Sequence, residues 1–234
     1  MAFKRDNTIS NFLEGIYFGE EFAEQRKKYF PTSINYGEGS FLNKFVNDFK
    51  PKLIVEIGLG YGISTLWMEK GPFRPKQHYV LDHFQDNFEM MGLKAVERFQ
   101  LKNINFVSQS SQEFFGSNLK KLNQKVDLLF MDGDERFDGI MTDIYFATKF
   151  LQNGGVLIIR NLWNPSVRKA VMFLIKNLPF KLWNIDANDE WVIKNILFWD
   201  ERRLQRISRE YQGSFCILQK HSGDMRSWDH FVNF

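Results

Sequence analysis

The stretch Leu53-Ile54-Val55-Glu56-Ile57 runs straight into Gly58-Leu59-Gly60-Tyr61-Gly62, and no other stretch constrains the fold so tightly. Five residues with a single charge read as a buried parallel strand. Glycine then occupies alternate positions, and Ser64-Thr65 open an amphipathic helix. A strand that turns this tightly into a helix lets a ligand approach the backbone closely, because no side chains block the way. The plain alternative is an ordinary strand-to-helix turn. Three alternating glycines and a carboxylate inside the strand argue against it.

The rest of the chain repeats the alternation. Strands are expected at His78–Asp82, Ile104–Val107, Val126–Met131 and Val156–Ile159. Helices are expected at Gly39–Asp48, Asn87–Phe99, Glu113–Leu122, Phe137–Phe150 and Pro165–Asn177, the last opening on proline. Asn153-Gly154-Gly155 reads as a turn. Strict alternation predicts a parallel sheet with helices on both faces. Phe180–Ile185 and Phe215–Lys220 look like two final strands, with a solvated charged helix face at Glu201–Ile207 between them.

At 234 residues, 44% of them apolar, the chain suits one sizeable domain. Residues 1–36 are rich in aromatics and predict short helices, as an extension or a lid, ahead of a main domain at 37–234. The net charge of +3 is dispersed, which argues against a nucleic-acid stripe or a membrane patch. No signal-peptide core and no run of transmembrane length are apparent, so a cytoplasmic enzyme is the default. The one cysteine, Cys216, excludes an intrachain disulfide and reads as a buried strand residue.

Ligands in open α/β sheets bind beyond the carboxyl ends of the strands. A dinucleotide fold wants its third glycine at position 63, which is Ile63, and a pyrophosphate sits badly beside Glu56. An oxidoreductase of the NAD type is therefore disfavoured. S-adenosylmethionine (SAM) carries an amino group and a sulfonium, for which a carboxylate is an asset. Residues 56–62 resemble motif I of the class I SAM-dependent methyltransferases, E/D-x-G-x-G-x-G.

The resemblance extends over roughly 35–180. Glu38-Gly39, Ser110-Ser111-Gln112-Glu113 and Asn161-Leu162-Trp163-Asn164 look like catechol and caffeoyl-coenzyme A O-methyltransferases. Leu81-Asp82-His83-Phe84-Gln85, Phe130-Met131-Asp132-Gly133-Asp134 and Pro165-Ser166-Val167-Arg168-Lys169 are closer to the bacterial methyltransferase 24 family, which includes macrolide-sugar O-methyltransferases. This implies a Rossmann-like fold with a mostly parallel seven-stranded sheet and an antiparallel final strand. It implies O-methylation of a small-molecule acceptor, on a sugar or natural product, with SAM as cofactor. Neither nucleic acid nor membrane is an expected partner, and a homodimer is left open. Glu56, Gly58, Gly60, Gly62 and Ser64 would hold the methionine half, Asp82 the ribose, and Ser111 and Gln112 the adenine, with Asp132 beside the methyl group.

The family usually binds one magnesium ion through the acid ending the fourth strand and an Asp-Asp or Asp-Asn pair ending the fifth. Here these are Asp132 and the pair Arg160-Asn161. An arginine in place of a carboxylate puts the metal in doubt and leaves only Asp132 and Asn161 as ligands. It raises three expectations: an Arg160–Asp132 ion pair where the metal would sit, an Arg160 that points outward from a decayed metal site, or a SAM-binding protein that has lost its chemistry. Glu135 stands where relatives carry His or Lys as general base, so Asp132, Glu135 and Arg160 are the candidate catalytic residues. His83 is a further candidate base.

Overall fold

The computed structural model describes residues 3–30, 32–183 and 215–234. The main domain alternates β1 (Leu53–Ile57), α4 (Ile63–Glu69), β2 (Gln77–Leu81), α5 (Met91–Arg98), β3 (Ile104–Val107), α6 (Ser111–Leu122), β4 (Val126–Met131), α7 (Phe137–Phe150), β5 (Leu151–Ile159) and α8 (Pro165–Asn177). Before it come α1 (Phe3–Phe18), α2 (Ala23–Tyr29) and α3 (Tyr36–Phe49). After it come β6 (Phe180–Leu182) and β7 (Cys216–Lys220).

The seven strands form one sheet in the order β3-β2-β1-β4-β5-β7-β6. The first five are parallel, and β7 runs antiparallel between β5 and β6. The parallel strands are those that the alternation predicts, and the Rossmann-like sheet with an antiparallel final strand is the one that the resemblance implies, with Cys216 buried in β7.

Successive strand residues point to opposite faces, so each strand feeds two cores. Val55, Ile57, Leu129, Met131 and Leu157 pack with Phe115 of α6, Ile144 of α7 and Val171 of α8. Ile54, Leu128, Phe130 and Ile158 pack with Leu13 of α1, Leu42 of α3 and Trp67 of α4. Both sheet faces are covered, which explains strands that are apolar almost throughout. The same period puts Glu56 on the side of Ile54, beneath α4, and this placement fixes its role.

Local chemistry sets the helix starts. Asn35 and Glu38 form a reciprocal capping box at α3, and Ser110 and Glu113 form one at α6. Asn164 accepts from the Ser166 N–H at α8, and Pro165 follows it.

Four local expectations need correction. The helix expected over 87–99 is a 3-10 turn at Gln85–Phe88 followed by α5, because Glu89 and Met90 take left-handed backbone conformations. Residues 153–155 lie within β5 rather than in a separate turn, with Gly154 at φ +84° and a register irregularity opposite β4. Every residue of α4 is buried, so this helix is enclosed rather than amphipathic. The segment before α3 includes one 16-residue helix, α1, in place of short pieces alone. The expected charged helix at 201–207 and the end of the strand expected at 180–185 lie outside the described residues.

Candidate active site

The glycine turn is held from below and from the side. Below it, Glu56 is fully buried. It accepts from the Ser64 hydroxyl, and from Thr65 Oγ1 at 2.7 Å. Its Oε2 lies 3.1 Å from His78 Nε2, off the hydrogen-bonding direction, and His78 Nδ1 is 3.0 Å from Glu69 Oε1. Burial pulls the His78 pKa down, but the two carboxylates outweigh it and push it up to about 9. Glu56 thus braces the first turn of α4 and an ionised histidine, and does not line the cavity above. Ser64 reaches both, lining the cavity while bonded to Glu56.

Beside the turn, Asp82 closes β2. Its Oδ2 accepts from the Leu59 and Gly60 N–H groups at 3.2 and 2.9 Å and from Gln85 Nε2 at 2.7 Å. Its Oδ1 accepts from the Phe84 N–H at 2.7 Å. Gln85 also donates to the Gly60 carbonyl at 2.9 Å, which clasps the turn from both sides. Gly58, at φ +95°, allows β1 to pass against β4: a Cβ there would meet the Asp132 carbonyl oxygen at 2.3 Å.

A cavity of about 1150 Å³ lies over the carboxyl ends of β1 to β5. Gly58, Gly60, Ser64, Asp82, Ser111 and Gln112 line one part, and Asp132, Glu135 and Arg160 another. In the first part, Ser111 donates to Asp143 Oδ1 at 2.5 Å. Burial pushes the Asp143 carboxyl up to about 7, and the Ser111 hydrogen bond opposes this only in part. Residues 32–36, together with Tyr17 and Phe30, wall the second part.

In the second part, Arg160 is 7% exposed and turned inward. Its Nη1 donates to Asp132 Oδ2 at 3.1 Å and Oδ1 at 3.3 Å, and to the Thr32 carbonyl at 2.8 Å. Its Nη2 donates to the Ser33 carbonyl at 3.0 Å, and its Nε lies 3.6 Å from Glu38 Oε2. Burial pushes the Glu38 carboxyl up to about 7 against the pull of Arg160. Burial likewise raises Asp132 above the usual carboxylate range, with Arg160 opposing. The expected ion pair between Arg160 and Asp132 is present in this geometry.

Asn161 follows in the left-handed region, at φ +63°. Its Nδ2 faces Glu135 and, at 3.5 Å, Asp132, while its Oδ1 accepts from Trp163 Nε1 at 3.2 Å. Glu135 also accepts from Asn164 Nδ2 at 2.8 Å. His83 is exposed, on the cavity rim. Gln85 and Asp143 escaped the sequence reading. Gln85 opens the 3-10 turn after β2 with no local signal of its contact to Asp82, and Asp143 is one acid in a long helix.

Residues 55–162 match the family model described as a methyltransferase domain. This stretch is a methyltransferase domain. The SAH-bound methyltransferase of Podospora anserina superposes with a TM-score of 0.62 at 15% identity, over 94% of this chain and 96% of that one. The O-methyltransferase of Bacillus cereus in complex with SAH gives 0.54 at 16% identity, over 94% and 91%. The O-methyltransferase TomG of Streptomyces achromogenes, involved in tomaymycin synthesis and in complex with SAM, gives 0.51 at 12%, over 92% and 89%. At these identities the likeness establishes the class I methyltransferase fold. No curated protein matches the sequence.

The matched stretch runs from inside β1 to just past β5, so the methyltransferase domain contains all five strand ends that floor the cavity. The wall from residues 32–36 lies outside it. The magnesium site of related enzymes does not fit here. Asp132 faces a guanidinium, the Asn161 oxygen is engaged by Trp163, and the amide nitrogen is turned toward the carboxylates. Among the described residues, no group of three or more His, Cys, Asp or Glu is placed to hold a metal ion.

Proposed function

We propose that this enzyme transfers a methyl group from SAM to a hydroxyl of a small molecule, with a sugar or natural product as the acceptor class. The observation that carries this reading is the single cavity that joins the glycine turn and Asp82 to Asp132, Glu135 and Arg160. The cofactor would lie along the first group. Backbone at Gly58 and Gly60 and the Ser64 hydroxyl would meet its methionine end, whereas Gly62 lies outside the cavity lining and packs against Gly92 of α5. Asp82 Oδ1 accepts one bond within the protein and has capacity left for a ribose hydroxyl. Ser111 and Gln112 would meet the adenine. Glu56 contributes from beneath the turn, through Ser64.

The acceptor would enter beside Asp132, under a lid formed by residues 1–36. Its hydroxyl proton passes to a carboxylate, Asp132 or Glu135. SAM, when bound, would supply the methyl group to the acceptor oxygen, its sulfonium taking back the carbon–sulfur electron pair to become a neutral thioether. Burial of Asp132 suits it to take a proton. The Arg160 guanidinium supports the developing negative charge on the acceptor oxygen. Among the described residues no helix is long and apolar enough to cross a membrane, in keeping with work on a diffusible acceptor in the cytoplasm.

Calorimetric titration with SAM tests the cofactor, and transfer of label from methyl-labelled SAM to a panel of hydroxylated acceptors tests the reaction. Micromolar binding and labelled product are expected. A second reading, a SAM-binding protein without turnover, draws on the Arg160–Asp132 contact, which engages a candidate base. Binding without transfer to any acceptor would favour it.

A further inference from the structure

We propose that this methyltransferase site excludes divalent metal and that the Arg160 guanidinium is its resident cation, docked there by the segment preceding α3. The first argument is spatial. A magnesium ion bonds oxygen at roughly 2.0–2.1 Å and demands near-octahedral room. Both Asp132 oxygens are already approached by Arg160 Nη1, at 3.1 and 3.3 Å. An ion bound at that carboxylate would sit within a few ångströms of the guanidinium, and the two would repel each other.

The second argument is orientation. A hard cation would need the Asn161 side-chain oxygen, but that oxygen accepts from Trp163 Nε1 at 3.2 Å. The amide nitrogen points instead toward Asp132 and Glu135, and a donor aimed at a carboxylate is the opposite of a ligand set. The left-handed backbone at Asn161 fixes this arrangement at the end of β5.

The third argument is that the guanidinium is anchored on its far side. It donates to the carbonyls of Thr32 and Ser33 at 2.8 and 3.0 Å and lies 3.6 Å from the buried carboxylate of Glu38. Swinging it away would leave the fully buried Glu38 carboxylate without its cation, which is strongly unfavourable. A planar fork with five donors reaches two carbonyls and a carboxylate at once; an ammonium does not. The charge that stands in for the metal therefore also fastens residues 32–33 to the cavity wall. The catalytic meaning of the inference rests on the methyl-transfer reading, whereas the exclusion of metal does not.

Manganese gives a direct test, because its free ion has a six-line paramagnetic resonance signal that disappears on binding. Wild-type protein, with and without SAH, is expected to leave the signal intact, and chelation by EDTA to change neither its melting temperature nor its SAH affinity. Arg160→Asp restores a carboxylate beside Asn161 and is expected to bind manganese about tenfold more tightly than wild type, or better, with magnesium competing. Manganese uptake by the wild type, or loss of its stability or SAH affinity on chelation, would overturn the proposal. So would an Arg160→Asp protein that is folded by circular dichroism and binds manganese no better than wild type. If that variant does not fold, the wild-type measurements decide alone. SAM titration of the same samples separates the two readings: absent SAM binding with an intact manganese signal would strike the functional assignment and leave the exclusion of metal standing.

Discussion

His78 sits between two buried carboxylates, with Nδ1 3.0 Å from Glu69 Oε1 and Nε2 3.1 Å from Glu56 Oε2. The pairing ties β2 to β1 through Glu56 and to the end of α4 through Glu69. It also makes stability depend on pH in a stated direction. The folded-state pKa of His78 is raised from 6.5 to about 9, so its contribution is fully present below 6.5 and is lost as pH climbs through 9. The unfolding free energy of the wild type, read from urea titrations, should fall between these values, by a few kcal/mol at most, and the midpoint with it. In His78→Gln that slope should vanish. A wild-type midpoint that holds steady or rises across the window would contradict an ionised His78.

Glu56 and Asp82 differ in what they hold, although both stand beside the same glycine turn. Asp82→Ala removes a carboxylate from the cavity wall and frees the Leu59 and Gly60 N–H groups, so SAM affinity should fall by roughly 1.5–3 kcal/mol. Glu56→Ala leaves ionised His78 with one partner fewer and should cost about 3–5 kcal/mol of stability. Calorimetry and thermal melts on both variants check this. Equal effects on binding and stability in the two would show that Glu56 does not act from beneath the turn.

Two glycines with positive φ give a matched pair. At Gly58 an added Cβ would meet the Asp132 carbonyl oxygen at 2.3 Å, against backbone that cannot yield. At Gly154, with φ +84°, nothing lies within 4 Å. Gly154→Ala should cost only the backbone penalty of about 1–2 kcal/mol, whereas Gly58→Ala should prevent folding or distort the junction of β1 with β4. Comparable melting temperatures for the two would show that the β1–β4 approach is looser than described.

Much of the sheet was legible because buried parallel strands are apolar runs and helices intervene at regular spacing. The strand-end acids Asp82 and Asp132 were legible for the same reason. The break at Glu89–Met90 was not, because neither residue signals a turn; Gln85 is drawn instead toward Asp82 and Gly60, a tertiary contact that local periodicity does not carry. The place of Glu56 beneath the turn follows from strand alternation only once it is known which helix covers that face. The Arg160 contacts with Thr32 and Ser33 span more than half the chain in sequence, so no local pattern announces them.

Sheet order carries a consequence for how the chain is made. β7, the last strand, is inserted between β5 and β6 and pairs with both. As the chain leaves the ribosome, Val156–Ile159 of β5 therefore emerge long before the partner that will cover their free edge. For the time needed to synthesise some sixty further residues, at about 5–20 residues per second, the nascent chain presents one unpaired edge of an apolar strand. A ribosome-stalled product that ends before Cys216 should therefore recruit chaperone or aggregate on release, and one that runs past Lys220 should not.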